Sequence, residues 1–331
     1  MAGGTVAIQF IRAALVPAKE RGIDVGVALR ESGISADLLD CDGARVTRAQ
    51  AAALIRSLWA LTDDELIGLP ERPLPRGTFL MATLGLVHAR DLDTALHRLI
   101  EFAGIGMGVD VAAMTDDGET TRLTFGPGEA DARSQLVLAI GMAVGHRLAN
   151  WLIGEQIALT SVDLPGAVPV HAAELLPVFG VEPTFGAPVA ALAFPSRHLR
   201  APLVRSEDDL LEFVRHQPHG LLARQDYQPT TASRVRKLIE RRAAEAVTVE
   251  DVAAPLGISA QHLRRLLRDE GTTFRAIRDQ VLRDDAIASL VRGQESVEEL
   301  SARLGFSESS AFRRAFRRWT GSPPGSYRAR R

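Results

Sequence analysis

A chain of 331 residues, 46% of them hydrophobic, has the length for two domains and the material for buried cores. No run of 18 residues is free of charge, the nearest (136–153) containing His146 and Arg147, which excludes a membrane-spanning helix; one cysteine, Cys41, excludes an internal disulfide and any multi-cysteine zinc site. The net charge of −2 averages two unlike regions: residues 233–331 hold 20 Lys and Arg against 13 Asp and Glu, net +7, and the remainder holds 19 against 28, net −9.

From the start of the chain, residues 1–22 break their apolar run with Arg12, Lys19, Glu20 and Arg21 and offer no small-residue cleavage site. No signal peptide is expected, and the address implied is a reducing cytoplasm. Helical periodicity runs over 7–19, 47–61, 78–87 and 92–102. Residues 109–114 and 120–125 alternate around Asp116-Asp117-Gly118, which predicts a hairpin. A long amphipathic helix is expected over 131–152, with strands over 157–162 and 189–194. Helices and strands without a regular β-α-β rhythm predict an α+β domain over residues 1–215. A polar stretch with Pro218, Gly220, Gln225, Gln228 and Pro229 sits where the charge changes sign, and it reads as a linker over 216–232. Residues 233–331 read as all-α.

Within this C-terminal region a single pattern occurs twice. Thr248-Val249-Glu250-Asp251-Val252-Ala253-Ala254-Pro255-Leu256-Gly257-Ile258-Ser259 recurs as Ser296-Val297-Glu298-Glu299-Leu300-Ser301-Ala302-Arg303-Leu304-Gly305-Phe306-Ser307. Each copy reads as a capped helix, a glycine turn, a second cap and an Arg-rich helix, which is a helix-turn-helix. In the first, Leu263, Leu266 and Leu267 face inward while Gln261, Arg264, Arg265 and Arg268 face out. In the second, Phe312, Phe316 and Trp319 face inward while Ser309, Ser310, Arg313, Arg314 and Arg317 face out. The glycines are 48 residues apart, but Leu263 and Phe312 are 49 apart, so the second outward helix enters one residue later. Between the units, Thr273 starts a helix through Val291 that would span about 27 Å, a spacer suited to two readers about one duplex turn apart. Pro255 occupies the place of Arg303 and lacks the backbone N–H of a helix interior, so a kink is expected there. An isolated Arg-rich helix is an ordinary solvated face; two capped, glycine-turned copies at matched spacing point to duplex DNA.

The run Gly305-Phe306-Ser307-Glu308-Ser309-Ser310-Ala311-Phe312-Arg313-Arg314-Ala315-Phe316-Arg317-Arg318-Trp319-Thr320-Gly321, followed by Pro323, Pro324 and Tyr327-Arg328, resembles the signature of AraC/XylS-type transcription regulators. The resemblance covers about a hundred residues. It implies a seven-helix module with two recognition helices in successive major grooves. It also implies base contacts from Gln261, Arg265, Ser309, Ser310 and Arg314, with phosphate contacts from Arg264, Arg268, Arg313 and Arg317. The chemistry agrees independently, because Arg pairs with guanine O6 and N7 and Gln with adenine N6 and N7, whereas phosphate contacts carry no sequence code.

Residues from about 8 to 206 resemble the arabinose-binding-type effector domain of one branch of those regulators. The matching pieces are Phe10-Ile11-Arg12-Ala13-Ala14-Leu15, Gly77-Thr78-Phe79, Asp91-Leu92-Asp93-Thr94-Ala95-Leu96, Pro183-Thr184-Phe185-Gly186-Ala187-Pro188 and Leu192-Ala193-Phe194-Pro195, then Leu199 and Pro202-Leu203. This implies small-molecule sensing; sugar binding does not follow from the domain's name. Catalytic and metal motifs are not found. The histidines at 88, 97, 146, 171, 198, 216, 219 and 262 show no zinc-ligand spacing. Gly104, Gly106 and Gly108 lack the full dinucleotide fingerprint and read as a helix-to-strand turn. No G-x-S-x-G elbow surrounds any serine, and the charges of Asp40 and Asp42 oppose a Cys41 thiolate. Phe10, Phe79, Met81, Phe102, Met107, Phe125 and Trp151 are candidates for lining an apolar pocket or for simple core.

The expectation is therefore a non-enzymatic regulator that binds double-stranded DNA, with no cofactor and no metal. A small-molecule effector is the expected ligand of the first domain. A homodimer would lengthen the site read, and RNA polymerase becomes a partner if the protein activates. The competing readings are a regulator whose first domain only dimerises or binds a partner, and an enzyme with a DNA-binding tail.

Overall fold

A computed structural model of the chain describes all residues except 1–3, 68–72, 108–111, 127–131, 170–171, 216–229, 243–246 and 329–331. The expected start of the first hairpin strand, most of the expected linker, and His171, His216 and His219 lie outside the described residues. The chain divides into two compact units, one built from 1–12, 26–54 and 228–331 and the other from 13–25 and 55–227. The chain passes between them within α1 (Ile8–Glu20), at the start of α2 (Val25–Glu31) and within α3 (Arg48–Thr62); β1 (Thr5–Ala7) and β2 (Arg45–Thr47) complete this early stretch. No described helix is long and apolar enough to cross a membrane.

The second unit is α+β. Its helices α4 (Thr78–Val87) and α5 (Leu92–Met107) precede a hairpin of β3 (Ala112–Asp116) and β4 (Thr120–Phe125), then α6 (Ala132–Ile153), β5 (Ser161–Leu164), α7 (Leu176–Phe179), β6 (Thr184–Phe185), β7 (Ala190–Pro195) and α8 (Glu207–Arg215). The sheet order is β3-β4-β7-β5-β6, antiparallel except for the β5–β6 pair. The hairpin turns as the sequence predicts. Gly118 takes φ +92°, and the Asp117 carboxylate accepts from the N–H groups of Glu119 and Thr120 at 2.9 and 2.7 Å. Those backbone donors, Thr120 first, hold the Asp117 carboxyl below the usual range. Ala190 to Phe194 of the central strand are all buried, and α6 lies against β5 and β7. A second apolar layer joins Leu86, Val87, Ala95, Leu148, Leu152 and Leu210 from α4, α5, α6 and α8.

Two expectations shift here. The strand foreseen over 157–162 begins only at Ser161, because the backbone of Ile157 is claimed by α6. Its N–H donates to Asn150 Oδ1 at 3.0 Å, and its carbonyl accepts from His146 Nε2 at 2.8 Å. Helix α5 runs to Met107, past the expected end at 102, so Gly104 and Gly106 lie inside a helix and not in a turn.

The C-terminal region of the other unit is all-α: α9 (Thr231–Arg241), α10 (Val249–Ala253), α11 (Ala260–Asp269), α12 (Phe274–Arg292), α13 (Val297–Arg303) and α14 (Ser309–Thr320). A closing 3-10 turn, Pro324–Tyr327, takes the place of the seventh helix that the resemblance implied. The first half has a core of Val235, Ile239, Val249, Val252, Leu263, Leu267, Ile277 and Val281. The second half is aromatic, with Phe312 and Phe316 fully buried and the Tyr327 ring edge-on to Phe316 at 5.2 Å. The short ribbon of β1 and β2, in which Val6 faces Val46, lies along α12. Three-residue strands are too short to show as an alternating pattern, and the sequence did not predict them.

Candidate nucleic-acid interface

Each helix-turn-helix starts from a reciprocal cap. The Asp251 N–H donates to Thr248 Oγ1 at 3.2 Å while Asp251 Oδ2 accepts from the Thr248 N–H at 2.8 Å. Ser296 and Glu299 repeat this at 3.1 and 2.7 Å. These bonds satisfy N–H groups that a helix start leaves open and fix where α10 and α13 begin. The ends differ as Pro255 requires. In the first copy the α-helix stops at Ala253, and 254–256 form a 3-10 turn before Gly257 at φ +70°. In the second, α13 continues through Arg303, which the proline position cannot imitate. The Arg303 guanidinium reaches Asp285 at 2.6 Å and Glu295 at 2.8 Å, tying the helix end to α12 and to the residue before the Ser296 cap. Arg303 first, then Ser289, hold the Glu295 carboxyl below the usual range.

The outward helices enter as the spacing predicts: α11 starts at Ala260, three residues after its turn glycine, and α14 at Ser309, four after its own. Ser259 caps α11 by accepting from the His262 N–H at 3.1 Å. The second copy departs from the expected pattern, because its N-cap is Glu308 with no side-chain capping bond; instead the Ser310 hydroxyl donates to Glu308 Oε2 at 2.9 Å. Between the units, α12 is capped by Thr273, which accepts from the Ala276 N–H at 3.1 Å. Its 19 residues give a rod on the order of 28 Å long.

Burial sorts the named side chains. Leu263, Leu267, Phe312 and Phe316 are fully buried, whereas Leu266 and Trp319 are half-buried. Gln261, Arg264, Arg265, Arg268, Ser310, Arg313, Arg314 and Arg317 are exposed, and Ser309 is half-buried. The exposed arginines fall into two classes. Arg264 pairs with Glu250 at 3.2 Å, and Arg313 pairs with Glu298 at 2.8 Å. Arg265, Arg268, Arg314 and Arg317 have no ion-pair partner among the described residues. Glu250 and Glu298 were not singled out from the sequence; their signal is that each stands in the first turn of its helix, 14 or 15 residues before the arginine it meets. A cleft of about 370 Å³ beside α14 is lined by Phe274, Leu282, Phe306 and Trp319 together with Arg275, Arg278, Arg318 and Asp279, the last of which pairs with Arg318 at 3.8 Å.

The candidate effector side chains are not gathered in this way. Phe79 and Trp151 pack into the helical layer of the α+β unit, and Trp151 stacks on Phe213 at 4.4 Å. Met81 is 64% exposed, Phe102 and Phe125 are half-buried, and Phe10 belongs to the other unit. The Met107 side chain lies outside the described residues. Among those residues no group of three or more His, Cys, Asp or Glu could hold a metal ion.

Residues 22–203 match the family described as the arabinose-binding domain of AraC transcription regulators, N-terminal, and residues 252–330 match a helix-turn-helix domain family. The chain belongs to the AraC family of transcription regulators. Its relatives include the ornithine utilization regulator of Pseudomonas aeruginosa, 28% identical over 98% of this chain and 96% of that protein. An uncharacterized HTH-type transcriptional regulator of Mycobacterium tuberculosis is 29% identical over 95% and 93%. Among solved structures, the regulator CdpR from Pseudomonas aeruginosa matches at 23% identity and a TM-score of 0.31, over 74% of this chain and 80% of that one. The AraC-family chain is thus a DNA-binding transcription regulator whose DNA-binding region carries two helix-turn-helix units.

Proposed function

We propose that this AraC-family regulator lays α11 and α14 into successive major grooves of duplex DNA. Gln261, Arg265, Ser309, Ser310 and Arg314 read base edges; Arg264, Arg268, Arg313 and Arg317 hold phosphates. The observation that carries this reading is the repetition of an exposed arginine with no ion-pair partner among the described residues, Arg265 and Arg314, at the same step after the buried Leu263 and Phe312. A free guanidinium on a rigid helix is the group that guanine recognition requires.

On this reading residues 1–215 serve as the effector and dimerisation region, 216–232 as the linker and 233–331 as the reader. Segments 1–12 and 26–54 of the effector region pack with the reader. The effector region responds to a small molecule, the protein acts as a homodimer in the cytoplasm, it engages RNA polymerase if it activates, and it carries out no chemistry of its own. The name of the relative that regulates ornithine utilization makes ornithine and other basic amino acids the first compounds to screen. A true effector raises the melting temperature by mass action; a domain that only dimerises gives no shift with any compound.

The decisive experiment measures full-length protein on its selected site and on random duplex. Arg265→Ala and Arg314→Ala should each cost about 1–3 kcal/mol on the selected site and much less on random DNA. Equal losses on both would overturn the base-reading assignment.

A further inference from the structure

Glu250 and Glu298 hold the two arginines that the proposed function assigns to phosphate. Glu250 Oε1 lies 3.2 Å from Arg264 Nη2, and Glu298 Oε1 lies 2.8 Å from Arg313 Nη2. The two pairs are the same device built twice: the carboxylate comes from the first turn of the leading helix, and the guanidinium from the residue after the buried anchor of the outward helix. All four side chains are more than half exposed, so neither pair is part of a core. The base-reading candidates Arg265 and Arg314, one residue further on, have no such carboxylate among the described residues.

We propose that Glu250 and Glu298 are built-in competitors for DNA phosphate, engaging Arg264 and Arg313 in the free protein and giving way to a phosphate oxygen on binding. This rests on the reading that Arg264 and Arg313 meet the backbone. A carboxylate and a phosphate oxygen are acceptors of the same kind, so a phosphate that approaches the Nη2 edge of either arginine competes with the carboxylate already bonded there. The competition acts on an arginine that reads no base. It therefore lowers affinity for every sequence by a similar factor and leaves discrimination to Arg265 and Arg314. An exposed pair of this kind is worth little, which sets the scale at about two- to fivefold in affinity per site.

The test uses full-length Glu250→Gln, Glu298→Gln and the double variant, titrated by fluorescence anisotropy against the selected site and random duplex. Each single variant should bind both DNAs about two- to fivefold more tightly, the double variant by about the product, and the gain should shrink as salt rises because screening already loosens the pair. In an Arg313→Ala background, Glu298→Gln should change nothing. If Glu298→Gln weakens binding or leaves it unchanged while Arg313→Ala weakens it, the competitor role is wrong and the phosphate assignment survives. If Glu298→Gln still tightens binding in the Arg313→Ala background, general repulsion from DNA and not this pair is responsible, and the proposal falls. If Arg313→Ala alone leaves binding to both DNAs unchanged, the phosphate assignment fails and takes the inference with it. Unchanged thermal melting of the Gln variants excludes loss of fold as the source of any difference.

Discussion

The hydroxyl of Thr5 donates to the Asp284 carboxylate at 2.7 Å, a bond between residues 279 positions apart in the chain. Thr5 in turn accepts from Arg45 Nε at 2.7 Å, and the Arg45 N–H donates to the Tyr327 hydroxyl at 3.2 Å. The β1–β2 ribbon is therefore a working component of the unit that carries the helix-turn-helix pair.

Gly43 tests that statement directly. A methyl group there would stand 3.1 Å from the Thr320 carbonyl carbon and 3.2 Å from its oxygen, both backbone atoms with no rotamer to yield. Gly43→Ala should cost about 1–3 kcal/mol in urea unfolding of the full chain. Gly85→Ala, which meets nothing within 4 Å and lies in α4, is the control and should be neutral or slightly stabilising.

Arg303→Ala should destabilise the second helix-turn-helix by roughly 1–3 kcal/mol. It strips a nearly buried Asp285 and the partly buried Glu295 of their cation. Because the Glu295 carboxyl lies below the usual range, the stability from this cluster is present at neutral pH and is lost as pH falls below about 4.5 through the folded value. Chemical denaturation at pH 7 and at low pH should show the gap between wild type and variant closing in acid.

His146 gives the α+β unit its own pH dependence. Burial first, and Arg147 as the lesser cause, push its pKa from 6.5 to about 4, against a raising hydrogen bond to the Ile157 carbonyl. The folded unit binds this proton less well than the unfolded chain, so stability falls as pH drops from about 6.5 toward 4, by up to about 3 kcal/mol, and is flat above 6.5. Burial shifts His198 in the same direction. His146→Gln should flatten the acid limb of a melting-temperature profile; an unchanged limb would assign it elsewhere.

Thr248→Ala and Ser296→Ala each remove one reciprocal cap. Each should cost about 1 kcal/mol and weaken DNA binding through misplacement of the helix that follows. Substituting Ser307, which caps nothing in α14, should leave the stability within about 0.5 kcal/mol of wild type.

The features legible in the sequence were those written by local chemistry. Caps at Thr248, Ser259, Thr273 and Ser296, glycines with positive φ at 257 and 305, and the 3.6-residue stripes needed only neighbours a few positions away. Features that depend on distant partners were not legible. Ile157 had the composition of a strand, but Asn150 and His146 take its backbone bonds. Gly104 and Gly106 resembled a turn, but α5 carries them through. The β1–β2 ribbon has three residues a side and owes its place to Asp284 and Tyr327 near the other end of the chain. On α11 and α14 the exposed residues followed from helical phase, whereas the pairing of Arg264 and Arg313 needed two helices brought together.

The later start of α14 bears on any attempt to exchange outward helix faces between the two copies. One residue along an α-helix turns the side chain by about 100°. A graft of the α11 surface onto α14 that counts from Gly257 and Gly305 would swing every transferred side chain by that angle, sending guanidinium groups toward the aromatic core. Counting from Leu263 and Phe312 keeps the phase. For recoding the protein, the ruler starts at the buried anchor.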